Sequence, residues 1–522
     1  MDKKAIKNFA INARKELIEK VELKAKFYNL TKETIKNPEE KNKKVIMGIP
    51  LKIEEIKARN KIIEKMNSEG YENVIEEIAY TWFNRLIAIK FMENNKYFPD
   101  FLPLDIKILS LENNEPAVIK NPFKISNYLG INNDEIKILS NDFKKRNELF
   151  KKIIVKLCNK LHEYMHFMFE RINDYTELLF PDNLFEKDAF LSKMSENIPD
   201  EDWKDVEIIG WLYQFYISEK KDETMAKKKA YKKNEIPFVT QLFTPDWIVK
   251  YMTENSLGKL WVEANPQTTL KEKWEYFLEE PEQNEEVKKE LEKIRYKNIK
   301  PEEIKVIDPC CGSGHILVYA FDVLYDIYKE TGELETEIPK LILKNNLFGL
   351  DIDKRAAQLA YFSLVMKARE KDRRLFRKDF DINVFEIIET NEIDDESVAL
   401  LTKKMNNEEK KATIELIEKF KNAKLYGSLI EVENIDYSFI LNHLNNLNED
   451  NMFKSNKIEL LKELILQIIK QADILKQKYD VAITNPPYMG NKYFSDNLKF
   501  FLKNNYFNNI DIYSSFSLNY TI

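Results

Sequence analysis

Glycine is scarce in this chain, 11 in 522 residues, against about 7% in ordinary proteins. The three cysteines, Cys158, Cys310 and Cys311, are too few and too unevenly spaced for a disulfide framework or a zinc cluster, which fits a reducing compartment. No uninterrupted apolar run is long enough to cross a bilayer. The start, Met1-Asp2-Lys3-Lys4 followed by mixed charge, lacks the apolar core of a signal peptide. A net charge of −6 excludes a uniformly basic surface, so any contact with phosphates has to be local. What is present, 43% hydrophobic residues over a long chain, is enough for several packed cores. These features predict a soluble cytoplasmic protein of more than one domain, with no membrane partner.

The few glycines are not scattered. Gly312, Gly314, Gly349, Gly427 and Gly490 all fall in or beside short apolar runs that read as strands, so they mark places where a side chain is not tolerated. Residues 304–307 read as a buried strand, Asp308-Pro309-Cys310-Cys311-Gly312-Ser313-Gly314 as a tight loop, and residues 315–328 as a helix with one apolar face. A glycine turn between strand and helix lets a ligand approach the backbone at the carboxyl edge of a parallel sheet. Leu317 stands where a dinucleotide fingerprint would have its third glycine, and no Gly-Lys-Ser/Thr follows. A cofactor without phosphate therefore suits the turn better than NAD or a nucleoside triphosphate. Residues 347–350 form the next strand candidate, ending in Asp351-Ile352-Asp353 before a helix over 354–368. Asp351 is placed to accept two ribose hydroxyls, and Asp353 to cap the helix. Residues 423–430 are a further strand candidate.

The run 479–484 ends in Asn485-Pro486-Pro487-Tyr488. The Asn485 side-chain oxygen and the Pro486 carbonyl can each accept a hydrogen bond from an amino group without changing protonation state. Proline fixes the direction of the carbonyl in advance, and Tyr488 offers a face for a base lifted out of a duplex. Such a site suits methyl transfer to a poorly nucleophilic nitrogen, although a Pro-Pro turn closing an ordinary strand has the same sequence.

In the order Phe243-Thr244-Pro245, the Gly312 turn, Gly349-Leu350-Asp351 and Asn485-Pro486-Pro487-Tyr488, the chain resembles the amino-group adenine-specific DNA methyltransferases. More narrowly, it resembles the BREX phage-defence enzymes of the PglX type. Glu76-Glu77-Ile78-Ala79-Tyr80-Thr81-Trp82-Phe83-Asn84-Arg85, Asp174-Tyr175-Thr176-Glu177-Leu178-Leu179, Gly210-Trp211-Leu212-Tyr213-Gln214 and Asp511-Ile512-Tyr513 extend the likeness through nearly the whole chain. The resemblance implies S-adenosylmethionine as cofactor and no metal. Phe243, Thr244 and Pro245 would lie at its methionine end, Asp308, Pro309, Gly312, Ser313 and Gly314 would form its loop, and Asp351 with Ile352 would border its ribose. Asn485, Pro486, Pro487 and Tyr488 would be the catalytic segment. The implied reaction is methylation of adenine N6 in double-stranded DNA. Other BREX proteins, or a separate C-terminal target-recognition half, are the implied partners.

The chain ends at Ile522, a few dozen residues past Asn485, where the resembled enzymes continue through further core strands and a target-recognition region. The expectation is a truncated or split form with an incomplete parallel sheet, in which residues 517–522 no longer follow the family and the apolar strand before Asn485 is left less protected. The expected fold class is α/β, a Rossmann-like S-adenosylmethionine-dependent methyltransferase core over residues 236–522 preceded by a mostly α-helical domain over 1–235. Ile75, Ile78, Trp82, Leu86 and Ile89 recur at helical spacing in the latter, as do apolar positions over 206–217. Charged, mostly helical insertions are expected near 370–420 and 434–478, as solvated decoration. Residues 285–293 read as an exposed helix held by i,i+4 ion pairs, and the basic run Lys227-Lys228-Lys229-Ala230-Tyr231-Lys232-Lys233 as a solvated linker or a phosphate contact.

Three other functions remain open. His162-Glu163-Tyr164-Met165-His166 matches the zinc-protease pattern, provided that both histidines share a helix face. The same catalytic tetrapeptide serves enzymes that methylate a protein glutamine, which are smaller and lack a long helical region. A cofactor-binding or assembly subunit without activity of its own is the third.

Overall fold

The computed structural model describes residues 1–522 except 173–174, 228, 447–451, 507–509 and 521–522. Asp174 and Lys228, both singled out in the sequence, lie outside the described residues, as do the last two residues of the 517–522 tail and part of the 434–478 insertion. The chain folds as two compact units. One comprises Met1–Glu219 with Val365–Asp379, the other Lys220–Leu364 with Phe380–Ile522. Among the described residues no helix is long and apolar enough to cross a membrane.

The first unit contains α1 (Lys3–Phe27), α2 (Ile53–Glu69) and α3 (Tyr71–Asn95), together with two short hairpins, β1–β2 (Val45–Ile46, Ile49–Pro50) and β3–β4 (Leu111–Glu112, Glu115–Pro116). The Asp2 side chain accepts hydrogen bonds from the Lys4 and Ala5 amides and so starts α1. The positive φ of Gly70 breaks α2 from α3. The stripe Ile75, Ile78, Trp82, Leu86 and Ile89 is buried throughout, as its spacing demands. The zinc-protease pattern fails on geometry. The helix Arg146–Leu161 stops one residue short of it, His162 to Phe169 run through turns, and the His162 ring bonds the Phe169 carbonyl at 2.8 Å.

In the second unit, β5 (Val306–Asp308), β6 (Leu347–Asp351), β7 (Asn383–Glu386) and β8 (Val481–Ala482) form a parallel sheet in the order β7-β6-β5-β8. Every residue of β5 and β6 is buried, which is why both read as unbroken apolar runs. Phe348 and Leu350 point to one face and Gly349 to the other.

Several expectations are corrected here. β7 lies inside the segment expected to be helical. With two apolar residues between Asn383 and Glu386 and charged neighbours on the amino side, it carries almost no strand signal of its own. Residues 423–430 are no strand but a short helix, Ala423–Tyr426, running into the tight turn Gly427–Leu429. Where the run 479–484 read as a strand, β8 is only two residues long, extended by a bond from the Ile483 amide to the Ile307 carbonyl at 2.9 Å, and it lies at an edge of the described sheet, with one side open.

The insertions are not decoration either. Leu416, Ile417, Ile440, Leu444, Ile465 and Ile468 pack with Phe348 and Leu350 into one core over a face of the sheet. Each such side chain contributes about 1.5–3 kcal/mol when fully buried. The helix Glu285–Ile294 is exposed as expected, but its ion pairs Lys288–Glu285 and Lys293–Glu290 are i,i+3. In the basic run, Lys227 pairs with Glu235 and Lys233 with Glu389, while Tyr231 is buried and stacks on Tyr493 with centroids 4.9 Å apart.

Candidate functional site

The carboxyl ends of β5, β6 and β8 open onto a cleft in the second unit of about 900 Å³, counting its mouth. Parallel strands all end on the same side, so loops far apart in sequence meet there. The floor is the glycine turn. The Gly312 amide donates to Asp351 Oδ2 at 2.9 Å, the Asp353 amide donates to Asp351 Oδ1 at 2.7 Å, and the Cys311 amide donates to the Leu350 carbonyl at 2.9 Å. Gly314 has φ +85°, and a Cβ there would lie 2.8 Å from the Ala360 Cα. No other residue fits that crossing of turn and helix. Asp353 caps the next helix through the Arg355 amide at 3.0 Å and forms a two-point ion pair with the Arg355 guanidinium.

The cleft floor holds two buried carboxyl groups. Burial pushes Asp308 up to about 7, against the pull of a hydrogen bond from the Cys310 amide. Burial also pushes Asp351 up to about 7, with the charges of Asp353 and Asp308 adding to the rise and the Asp353 and Gly312 amides opposing it. Burial raises the thiols of Cys310 and Cys311 well above their ordinary value, so both stay protonated.

One wall is the segment expected at Phe243-Thr244-Pro245. The Phe243 ring stacks on His315 with centroids 4.5 Å apart and planes 1° from parallel, and His315 Nδ1 bonds the Thr244 carbonyl at 3.0 Å. The opposite wall carries Asn485, whose Nδ2 donates to Thr244 Oγ1 at 3.1 Å. Of the residues expected from the sequence, Phe243, Thr244, Asp308, Pro309, Gly312, Ser313, Asp351, Ile352, Asn485 and Pro487 line this one cleft. Pro245, Gly314, Pro486 and Tyr488 do not. Pro245 precedes the helix Asp246–Thr253 as its cap. Tyr488 sits on the outside, 58% exposed, its ring stacked parallel to Tyr513 at 5.7 Å.

Gly427 and Ser428, in the 423–430 strand candidate, also line the cleft, and sequence reading missed Gln241, His315, Ile512 and Phe516, which line it too. Ser428 donates to the Pro309 carbonyl at 2.6 Å, which ties the 427–429 turn to the glycine turn. Ile512 and Phe516 belong to a separate apolar cluster with Ile236, Leu429, Met489 and Leu498. The signal for them was the Asp511-Ile512-Tyr513 stretch, which carried a likeness but no assigned role.

Residues 345–520 match the family described as Eco57I restriction-modification methylase. The chain is 39% identical over 478 residues to the adenine-specific methyltransferase BrxX of Escherichia coli O9:H4 (strain HS), covering 85% of this chain and 38% of that protein. It is 35% identical over 532 residues to the adenine-specific methyltransferase PglX of Lacticaseibacillus casei (strain Zhang), covering 94% of this chain and 43% of that protein. The chain is a homologue of these methyltransferases. It spans about two fifths of the length of the curated relatives it matches. The family match takes in Asp351, the 427–429 turn and Asn485 to Tyr488 but begins after the glycine turn. The placement of Thr244 and Gly312 beside them is thus a result of the fold itself.

Proposed function

We propose that this chain carries the methyl-transfer site of an adenine-specific DNA methyltransferase of the BREX type, acting on adenine N6 in double-stranded DNA. The observation that carries this reading is the single cleft shared by Asn485 and the Gly312 turn. The second unit would be a Rossmann-like methyltransferase core beginning near residue 236, with the helical region before it as a separate domain. Its place would be the cytoplasm, with other BREX proteins or a target-recognition half as partners.

The cleft suits S-adenosylmethionine by its donor set and its shape. Asp351 retains acceptor capacity for ribose hydroxyls beyond its two amide bonds. Ile352 and Phe516 offer apolar walls for the adenine ring, and a Cβ at Gly312 would lie 3.1 Å from Gln241 Nε2, inside the cradle. Bound there, the cofactor supplies an electrophilic methyl group on a sulfonium centre. Asn485 Oδ1 and the Pro486 carbonyl accept hydrogen bonds from the two amino hydrogens and so free the nitrogen lone pair from the ring. Neither group takes up a proton, and the proton lost on transfer leaves to solvent. Tyr488, on the cleft's outer side, supports the extruded base by stacking.

The test is incubation of the chain with duplex DNA and methyl-labelled cofactor, followed by nucleoside analysis. N6-methyladenine that disappears in Asn485→Ala is the expected result. Label in a glutamine-containing peptide and none in DNA would move the substrate to protein, and cofactor binding with no transfer would leave an assembly subunit.

A further inference from the structure

The 427–429 turn forms part of the cleft wall but belongs to no strand, so its buried carbonyls need partners from outside a sheet. Side chains supply them. The Tyr520 hydroxyl donates to the Ser428 carbonyl at 2.9 Å, with Asn519 Nδ2 as a second donor at 3.3 Å, and the Ser428 hydroxyl donates onward to the Pro309 carbonyl at 2.6 Å. A backbone carbonyl can only accept, so each hydroxyl is the donor. Tyr506 is less committed, since its one proton is shared between the Leu429 carbonyl at 2.9 Å and Asn519 Oδ1 at 3.1 Å. Burial raises the Tyr520 phenol above its ordinary range, which keeps its proton in place. Its ring packs against both the core over the sheet and the cluster around Leu429 and Leu498. Three segments, at 309, 428 and 520, are thus joined in series, and Pro309 and Ser428 both line the cleft.

We propose that Tyr520 and Ser428 are positioning residues that fix the spacing between the 427–429 turn and the glycine turn, so that residues well past the Asn485 tetrapeptide complete the cofactor cleft. This rests on the methyl-transfer reading for the identity of the ligand, but the clamp itself does not. The 517–520 stretch, expected to depart from the family, is on this account part of the site, and the family match runs to residue 520. Tyr520→Phe keeps the packed ring and leaves the Ser428 carbonyl only the longer Asn519 bond, while Ser428→Ala removes the tie to Pro309. Because the links act in series, either break frees the wall, and a second break adds little.

Two readouts, one of them free of ligand, test the clamp. In hydrogen–deuterium exchange followed by mass spectrometry, Tyr520→Phe and Ser428→Ala each speed exchange of the backbone amides over 423–430 by about fivefold, the shift expected from one hydrogen bond, and leave those of β5 and β6 unchanged. In titration calorimetry, S-adenosylhomocysteine binds each variant about fivefold more weakly, and the double variant weaker still by no more than about twofold. Where methyl transfer is measured, KM for the cofactor rises with the loss of affinity and kcat at saturation stays the same. Exchange that rises equally in the turn and in both strands is general loosening and overturns the proposal. Unchanged exchange over 423–430, unchanged affinity in both single variants, or losses that multiply in the double variant overturn it as well. Should the exchange behave as stated while the parent chain binds no S-adenosylhomocysteine, the clamp stands and the methyl-transfer reading falls.

Discussion

The two ends of the cleft are built differently. The glycine turn sits on strands with no exposed residue, and Asp351 receives amide bonds from both the turn and its own loop. The Asn485 segment leaves a two-residue edge strand, is joined to the opposite wall by one side-chain bond, and ends in a half-exposed tyrosine. If the glycine turn holds the proposed cofactor in every cycle, it gains from being formed in advance. A segment that, on the proposed reading, receives an extruded base would gain from few fixed contacts, provided that the Asn485 amide is oriented.

That contrast can be broken from either side. The largest effect is expected at Asn485. Asn485→Ala should lower methyl transfer by about a hundredfold or more while cofactor affinity stays within about twofold, measured by labelled-methyl incorporation beside equilibrium dialysis. A comparable loss of cofactor binding would mean that the two ends are one structural unit.

On the other side, Gly314→Ala meets the Ala360 backbone at 2.8 Å in a left-handed conformation. It should cost about 2–3 kcal/mol and lower the melting temperature by several degrees. Gly490→Ala, where φ is −76° and the nearest atom is 3.9 Å away, should change stability by less than about 0.5 kcal/mol. Equal melting temperatures for the two variants would erase the difference between the regions.

The third probe is pH. A raised carboxyl pKa means that the folded protein favours the neutral acid. Asp308 and Asp351 therefore contribute stability below about pH 4 that is lost as pH rises toward about 7. A ligand that donates ribose hydroxyls to Asp351 favours its ionised form, so cofactor binding should tighten between pH 6 and 8, and Asp351→Asn should flatten the slope. Titration calorimetry at both pH values checks this, and a flat profile in the parent chain counts against Asp351 as the ribose acceptor. The smallest effect is expected at the rim. Tyr488→Ala should raise KM for DNA by about tenfold and Tyr488→Phe should not, the difference expected of stacking alone.

Much of the glycine-turn side was legible because its signals are local. Gly314 needs a conformation that other residues resist, Asp353 caps the helix it precedes, and β5 and β6 are buried on both faces and so read as apolar runs. β7 was missed because a short edge strand with charged neighbours has neither periodicity nor apolar length. The helices over 407–419 and 452–476 read as decoration in the sequence because their charged faces dominate the composition, while the stripe that packs on Phe348 and Leu350 is thin. The tight turn at Gly427 was mistaken for a strand because its apolar neighbours are buried for packing, not for pairing.

From its sequence alone, this protein fixes the glycine turn, the acid that ends β6 and the tetrapeptide that follows β8, since each depends on neighbours a few residues away. Only the tertiary structure decides that β8 lies beside β5, and that Thr244 and Asn485, 241 residues apart, share a hydrogen bond. Bringing such distant segments together depends on the order of strands in a sheet and the cores that cover it, and no local pattern encodes that sum of many weak contacts.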